Sequence, residues 1–145
     1  MIHTILLPTD GSDITEPALK AAMEWLKQVN GKLVVLSVAR TLHYNPLSEN
    51  VPSTDWKAYE EEQRRRSNQI LDQVRIIAEQ SGVHCETVLE QSDDPAEKII
   101  LTAKSHHCDA IFMTAHRRPR LTRLFIGSQT QKVLAHSDLP VMVFH

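Results

Sequence analysis

The sequence lacks the features that mark several large classes of protein. Its formal net charge is only -2 at pH 7, so no global field attracts it to nucleic acid or to an anionic membrane. No apolar run approaches the roughly 18 residues of a membrane-spanning helix. The first residues do not combine a charged region with a cleavage site, as a secretory signal does. We therefore expect a cytoplasmic protein that binds neither nucleic acid nor membrane.

Cysteine and catalytic motifs are also scarce. The two cysteines, Cys85 and Cys108, form no motif, which argues against a secreted disulfide scaffold and favours buried free thiols. No H-E-x-x-H, H-x-E with paired cysteines, nucleophile elbow or G-x4-G-K-[ST] loop is found. His106 and His107 fall near a predicted helix end, where the helix dipole accounts for them. The sequence predicts no metal site and names no catalytic residue.

What the sequence does contain is short apolar runs alternating with helical periodicity. Runs typical of strands that are covered on both faces occupy residues 2–7, 32–39, 83–90, 109–115 and 139–144. Helical patterns occupy residues 18–29, 55–80, the segment that starts at Asp94, and 128–136. This alternation predicts one domain, residues 1–145, with the fold of a doubly wound α/β sandwich. Periodicity alone does not fix the strand order.

Local signals refine this prediction. Apolar residues recur at helical spacing in the first helix, including Trp25, and Asn30-Gly31 is typical of its end. The block EEEQRRR, residues 60–66, places each glutamate four residues before an arginine, which predicts ion pairs on a solvated helix face. Residues 41–52 contain two prolines and little periodicity. We interpret them as a long loop, a class that tends to be functional or mobile.

The stretch MTAHRRPRLTRLFIGSQTQK, residues 113–132, combines a basic segment with a helix start. A helix N-terminus near Gly127 presents unpaired N–H groups and attracts anions, and nearby hydroxyls add donors. Alternatively, Ser128 and Gln131 form an S-x-x-Q capping box that only starts the helix. The two interpretations are compatible, because a capped helix keeps other N–H groups free.

A second polar signal, Pro8-Thr9-Asp10, follows the first strand. Ligands of doubly wound sheets lie beyond the carboxyl ends of the strands, where the winding reverses. Asp10 and Gly127 at two such ends suit a ribonucleotide, with its sugar or base toward the acid and its phosphates toward the glycine. The alternative for Asp10 is a structural turn or helix cap.

Four segments resemble the universal stress protein family: ILLPTDGSDITEPALKAA, KLVVLSVA, DAIFMTAHRR with LFIGSQTQKVL, and SDLPVMVF. The similarity covers essentially the whole chain apart from residues 41–55, with these segments in the family's order. The resemblance implies a role in stress response or regulation, five parallel strands in the order 3-2-1-4-5, helices on both faces, and a homodimer. ATP-binding members of the family carry G-x2-G-x9-G-[ST] after the fourth strand and an aspartate after the first.

Carried onto this chain, the resemblance implies that Asp10 contacts the adenosine, that the backbone of Val38 meets adenine, and that Gly127 and Ser128 are the final G-[ST]. The predicted nucleotide site comprises Pro8, Thr9, Asp10, Val38, Thr114, His116, Arg117, Arg118, Gly127, Ser128, Gln129 and Thr130. The ligand would be ATP or another adenine nucleotide, with or without Mg²⁺, and any hydrolysis would be slow.

The chain departs from the motif at its first two glycines, which are replaced by Thr114 and Arg117. In one outcome Arg117, Arg118 and His116 grip the phosphates in place of backbone N–H groups. In the other, the arginines and Pro119 fill the cradle. The family has a class without ATP that lacks these glycines.

Two functional hypotheses therefore stand. One is a nucleotide-binding stress or regulatory protein. The other is a ligand-free homodimeric adaptor that contacts a regulatory protein partner through the 41–55 loop and the basic segment. Pro140 suits a strand start or an edge strand, and an edge strand invites pairing with a second copy. The predicted dimer strand comprises Val141, Met142, Val143 and Phe144. The alternative is a last strand that is covered by the protein's own helices, with dimerisation elsewhere.

Overall fold

The computed structural model describes residues 1–11, 17–41, 55–115 and 127–145. Within these ranges the chain alternates between strands and helices, as the sequence predicts. The strands are β1 (Thr4–Pro8), β2 (Lys32–Ala39), β3 (His84–Gln91), β4 (Ala110–Thr114) and β5 (Val141–Phe144). The helices are α1 (Pro17–Val29), α2 (Asp55–Gln80), α3 (Pro95–Ser105) and α4 (Ser128–His136).

The five strands form one parallel sheet in the order β3-β2-β1-β4-β5. This order confirms the predicted doubly wound fold. The chain builds the sheet outward from β1 to β3 and then returns to place β4 on the other side of β1. The winding therefore reverses between β1 and β4, which is where such sheets hold ligands.

A hydrophobic core fills the space on each face of the sheet. Residues of α1 and α2, including Leu26 and Val74, pack on one face with Leu7 and Val35. Residues of α3 and α4 pack on the other face, as Val133 does. Because the central strands are buried on both sides, their sequences are continuous apolar runs.

Two local predictions about α1 have different outcomes. The helix ends at Val29, and the next residue, Asn30, adopts the left-handed conformation with φ 51°, as the Asn30-Gly31 pattern predicts. The apolar spacing that includes Trp25 is not matched by full burial there, since 41% of this residue is exposed. Its indole Nε1 donates to the Ile2 carbonyl at 3.0 Å, so the ring lies at the edge of the core.

The charged face of α2 also differs in detail from the prediction. Arg65 pairs with Glu62, three residues earlier, at 2.7 Å, and Arg66 pairs with the same carboxylate at 3.2 Å. Hydrogen bonds from the two guanidinium groups lower the pKa of Glu62 to about 2. One glutamate thus holds two arginines, where the sequence predicted one arginine for each.

The remaining predictions concern the two cysteines, the histidine at the end of α3, membrane spans and two loop segments. Cys85 and Cys108 are buried free thiols, and burial raises the pKa of each to about 11. His106 caps the C-terminus of α3, as predicted. No helix of the described ranges is long and apolar enough to cross a membrane. The 41–52 loop, apart from Thr41, and the basic segment from His116 to Ile126 lie outside the described residues.

Candidate functional site

The sheet opens at its carboxyl edge between β1 and β4. These strands pair at two positions, Ile5 with Ala110 and Leu6 with Ile111, whereas β1 remains paired with β2 as far as Pro8. Proline has no backbone N–H to donate to a neighbouring strand. The two strands therefore separate where the winding reverses.

A cavity of about 320 Å³ occupies this opening. That volume lies at the lower end of the range for small-molecule sites, which is about 300–1,000 Å³. The cavity is lined by Pro8, Thr9, Asp10, Leu36, Val38, Arg40, Pro95, Ile99, Met113, Thr114, Gly127, Ser128, Gln129 and Thr130. Every predicted site residue that the structure describes is in this wall. His116, Arg117 and Arg118 lie outside the described residues.

Five wall residues were not predicted from the sequence: Leu36, Arg40, Pro95, Ile99 and Met113. Leu36 could have been found, because it lies two residues before Val38 and therefore on the same face of β2. Pro95 and Ile99 come from α3, which joins the cavity through its position in the fold. No local pattern in the sequence reports that proximity.

The N-terminus of α4 forms one end of the cavity. Its N-cap residue is Gly127, with φ -60° and ψ 158° and no side-chain cap. The predicted capping box is therefore wrong, because Ser128 is the first residue inside the helix and is exposed. The first intrahelical bond runs from the Gln131 N–H to the Gly127 carbonyl at 3.0 Å. The N–H groups of residues 128–130 precede that bond and lack intrahelical acceptors.

Gly127 leaves space in front of this helix end. A Cβ atom added to Gly127 would meet no atom of the described residues within 4 Å. Its φ of -60° is open to any residue. Among the described residues, neither backbone conformation nor packing requires glycine at this position. The consequence of glycine is that a ligand can approach the N–H groups of α4 closely.

The N-terminus of α3 borders the cavity but is already capped. The Asp94 carboxylate accepts from the Glu97 N–H at 3.4 Å. The side-chain oxygen of Gln129 accepts from the Ala96 N–H at 3.0 Å. Gln129 thereby ties the start of α4 to the start of α3. Of the two helix ends at the cavity, the end of α4 is the one that retains capacity for an anion.

The acidic side of the cavity rests on a tight turn after β1. The Thr9 N–H donates to the Leu36 carbonyl at 2.8 Å, and the Gly11 N–H donates to Thr9 Oγ1 at 3.1 Å. Gly11 has φ +75°, and a Cβ there would collide with the side chain of Ile70. The turn holds Asp10 exposed at the rim of the cavity.

The sequence profile of the universal stress protein family matches residues 1–145. The chain belongs to the universal stress protein family. Among its relatives is a universal stress protein from Thermus aquaticus, encoded in the 3' region of a QAH/OAS sulfhydrylase. That protein is 32% identical over 144 residues, covering 99% of this chain and 98% of the relative.

Solved structures of universal stress proteins share the fold. UspA from Lactobacillus plantarum has a TM-score of 0.79 at 22% identity, covering 100% of this chain and 99% of that one. A universal stress protein from Archaeoglobus fulgidus in complex with dAMP has a TM-score of 0.70 at 20% identity, with full coverage of both chains. These TM-scores establish a shared fold.

Thr114, which stands where the ATP-binding pattern has its first glycine, does not close the cavity of this universal stress protein. The residue lies in the cavity wall at the end of β4. Its hydroxyl oxygen is buried and has no hydrogen-bond partner in the part of the chain that the structure describes. Thr114 thus narrows the opening without supplying a donor on the cavity surface.

Proposed function

We propose that this universal stress protein binds an adenine nucleotide in the cavity between β1 and β4. The ligand is ATP, ADP or AMP, and a triphosphate would arrive with or without Mg²⁺. The observation that supports this function best is the meeting of a carboxylate, Asp10, and an uncapped helix N-terminus opened by Gly127 in one cavity. The bound nucleotide would regulate the protein's part in the stress response.

The phosphate end of the ligand would lie against α4. The helix end carries about half a positive charge, and an anion at such a position gains about 0.3–1 kcal/mol when exposed. The exposed hydroxyl of Ser128 adds a donor beside the backbone N–H groups. Arg40 lines the same cavity and adds a guanidinium group, the side chain that best matches phosphate geometry.

The nucleoside end would lie toward β1 and β2. Leu36, Ile99 and Met113 are buried residues that give the cavity an apolar wall suited to a base. The Asp10 carboxylate can accept hydrogen bonds from ribose hydroxyls. An apolar wall with a few polar groups is typical of small-molecule sites. The dAMP complex of the Archaeoglobus fulgidus relative supports an adenine ligand.

Two variants test this assignment by calorimetric titration with ATP, ADP and AMP, each with and without Mg²⁺. Gly127→Val places a branched side chain in the open space before α4, and Asp10→Ala removes the acceptor for ribose. We expect each variant to abolish binding while wild-type protein binds. Asp138→Ala is the matched control, since this exposed carboxylate pairs with Lys104 at 3.3 Å and is absent from the cavity wall. Retained affinity in both site variants would contradict the assignment.

We also propose that two copies associate through β5. This strand lies at the edge of the sheet and pairs with β4 alone among the described strands. Met142 is 39% exposed, and such an apolar edge favours pairing with another strand. A dimer of this kind serves both the nucleotide-binding function and the alternative, an adaptor that acts through protein contacts. The titration separates the two, because the adaptor needs no nucleotide.

A further inference from the structure

A second cavity, of about 510 Å³, lies on the other face of the sheet between α2 and the carboxyl ends of β1 and β2. It is lined by Asp10, Gly11, Ser37, Val38, Ala39, Arg40, Tyr59, Gln63, Arg66, Ser67, Gln69, Ile70 and Gln73. The nucleotide cavity accounts for three of these residues, Asp10, Val38 and Arg40. The rest of this polar wall has no role in the function proposed above.

The inner face of α2 becomes polar at the level of this cavity. Its buried positions are Ser67, Leu71, Val74 and Ala78, a spacing that follows one face of a helix. The last three belong to the hydrophobic core, but Ser67 is polar while only 7% exposed. One turn further toward the N-terminus, Gln63 lines the cavity.

The facing strand changes in the same way. Leu33 and Val35 of β2 point into the core beneath α1 and α2. Two residues on, Ser37 faces the same side and is only 3% exposed. Small polar side chains thus occupy both sides of the interface between β2 and α2. Both serines line the cavity, so their hydroxyls are placed to bond a polar molecule inside it.

The charges in the wall favour an anion. The lining includes two guanidinium groups, from Arg40 and Arg66, and one carboxylate, from Asp10. Arg66 donates its Nε–H to Glu62 at 3.2 Å, which leaves its two terminal amino groups for another acceptor. The amides of Gln63, Gln69 and Gln73 supply further donors and acceptors.

We propose that this cavity is a second binding site, for a small polar molecule that carries an oxyanion, either phosphate or carboxylate. The two guanidinium groups hold the oxyanion, and the serines and glutamines bond the rest of the molecule. The two cavities lie on opposite faces of the sheet and share Asp10, Val38 and Arg40 at its edge. Arg66, Ser67 and the glutamines belong to the second cavity and not to the first, so the test is read on α2.

Amide chemical shifts of the full chain, titrated with pyrophosphate in one arm and malonate in the other, test this site. We expect saturable shifts in residues 63–73 with at least one probe, and the responding probe separates phosphate from carboxylate. Arg66→Gln should weaken binding about tenfold, the loss of one charge-assisted hydrogen bond. Arg75→Gln is the matched control on the same helix, since Arg75 pairs with Asp72 and does not line the cavity. The affinity of this variant for the probe should equal that of wild type.

The proposal would be overturned if no residue of α2 shifted at about 10 mM of either probe, a concentration at which even millimolar affinity is visible. It would also be overturned if Arg66→Gln and Arg75→Gln weakened probe binding equally. Shifts confined to residues 127–130 would overturn it as well. Repeating the titration in Gly127→Val separates this site from the nucleotide site. The shifts in α2 should persist in that variant, and their loss there would also overturn the proposal.

Discussion

Gly127 and Thr114 stand at two positions of one phosphate-binding pattern, and the structure gives them different roles. Gly127 has an ordinary φ and open space around it among the described residues. Its contribution is that a ligand can come close to the N–H groups at the start of α4. Thr114 occupies a position where the pattern has glycine, yet a cavity remains beside it. The sequence predicted both residues for a nucleotide site, and both line the cavity. The sequence could not predict the size of the cavity beside Thr114, because that size depends on how far β1 and β4 separate.

Thr114→Val tests the account of this residue. Valine has nearly the same shape and removes a buried hydroxyl that lacks a partner among the described residues. The free energy of unfolding should therefore rise by about 1 kcal/mol, as measured by chemical denaturation without ligand. Affinity for AMP should stay within about twofold, since the hydroxyl is shielded from the cavity. A clear loss of stability would mean that the hydroxyl is bonded inside the protein.

Among the elements, the positions of the strands and helices were predicted well from local patterns in the sequence. The cap of α4, the strand order and the contribution of α3 to the cavity were not. Burial of the strands on both faces produced apolar runs that local reading can recognise. The start of α4 at Ser128 was predicted, but its cap was not, because the S-x-x-Q pattern does not distinguish the N-cap from the next residue. The strand order came from the family resemblance. The contribution of α3 to the cavity followed only from the fold.

Gln129 offers a test of how α3 and α4 are held together. Gln129→Ala removes the acceptor for the Ala96 N–H and should cost about 1 kcal/mol of stability. Gln129→Glu keeps an acceptor but adds negative charge beside the proposed phosphates. Its stability should stay near that of wild type while AMP affinity falls. Hydrogen exchange of the Ala96 amide and calorimetry measure the two effects. Wild-type stability of Gln129→Ala, or wild-type AMP affinity of Gln129→Glu, would contradict these roles of Gln129.

Asp109 links the starts of β1 and β4 at the opposite edge of the sheet. Its carboxylate accepts from the backbone N–H groups of His3 at 2.8 Å and Thr4 at 2.9 Å. These bonds, that of His3 above all, lower the pKa of Asp109 below its ordinary value of 3.8. Because the folded-state pKa is depressed, the contribution to stability is complete above pH 3.8 and is lost as pH falls through the folded-state pKa.

Asp109→Asn should therefore be less stable than wild type at pH 7, because the amide lacks the charge that strengthens these hydrogen bonds. The difference should shrink as the pH falls below 3.8, where the wild-type carboxylate becomes protonated. Urea denaturation of both proteins across this range measures the difference. A gap that is constant with pH would show that the charge of Asp109 has no part in it.

For the whole molecule, the exposed edge at β5 predicts a dimer. Met142→Lys places a charge on that edge and should weaken self-association at least tenfold without unfolding the protein, since the residue is exposed. Ile76→Lys is the matched control, an exposed apolar residue on α2. Light scattering after size exclusion across a range of concentrations measures the association. A monomeric wild type, or equal effects of both variants, would place the partner surface elsewhere.

The central claim about the whole molecule is that the opening between β1 and β4 holds an adenine nucleotide. A crystal structure after soaking with AMP, and in parallel with ATP and Mg²⁺, tests this claim most directly. We predict electron density with the phosphate at the N–H groups of residues 128–130 and the ribose within hydrogen-bond distance of Asp10. An empty opening at millimolar nucleotide, or density bound only elsewhere, would contradict the claim and leave the fold unchanged.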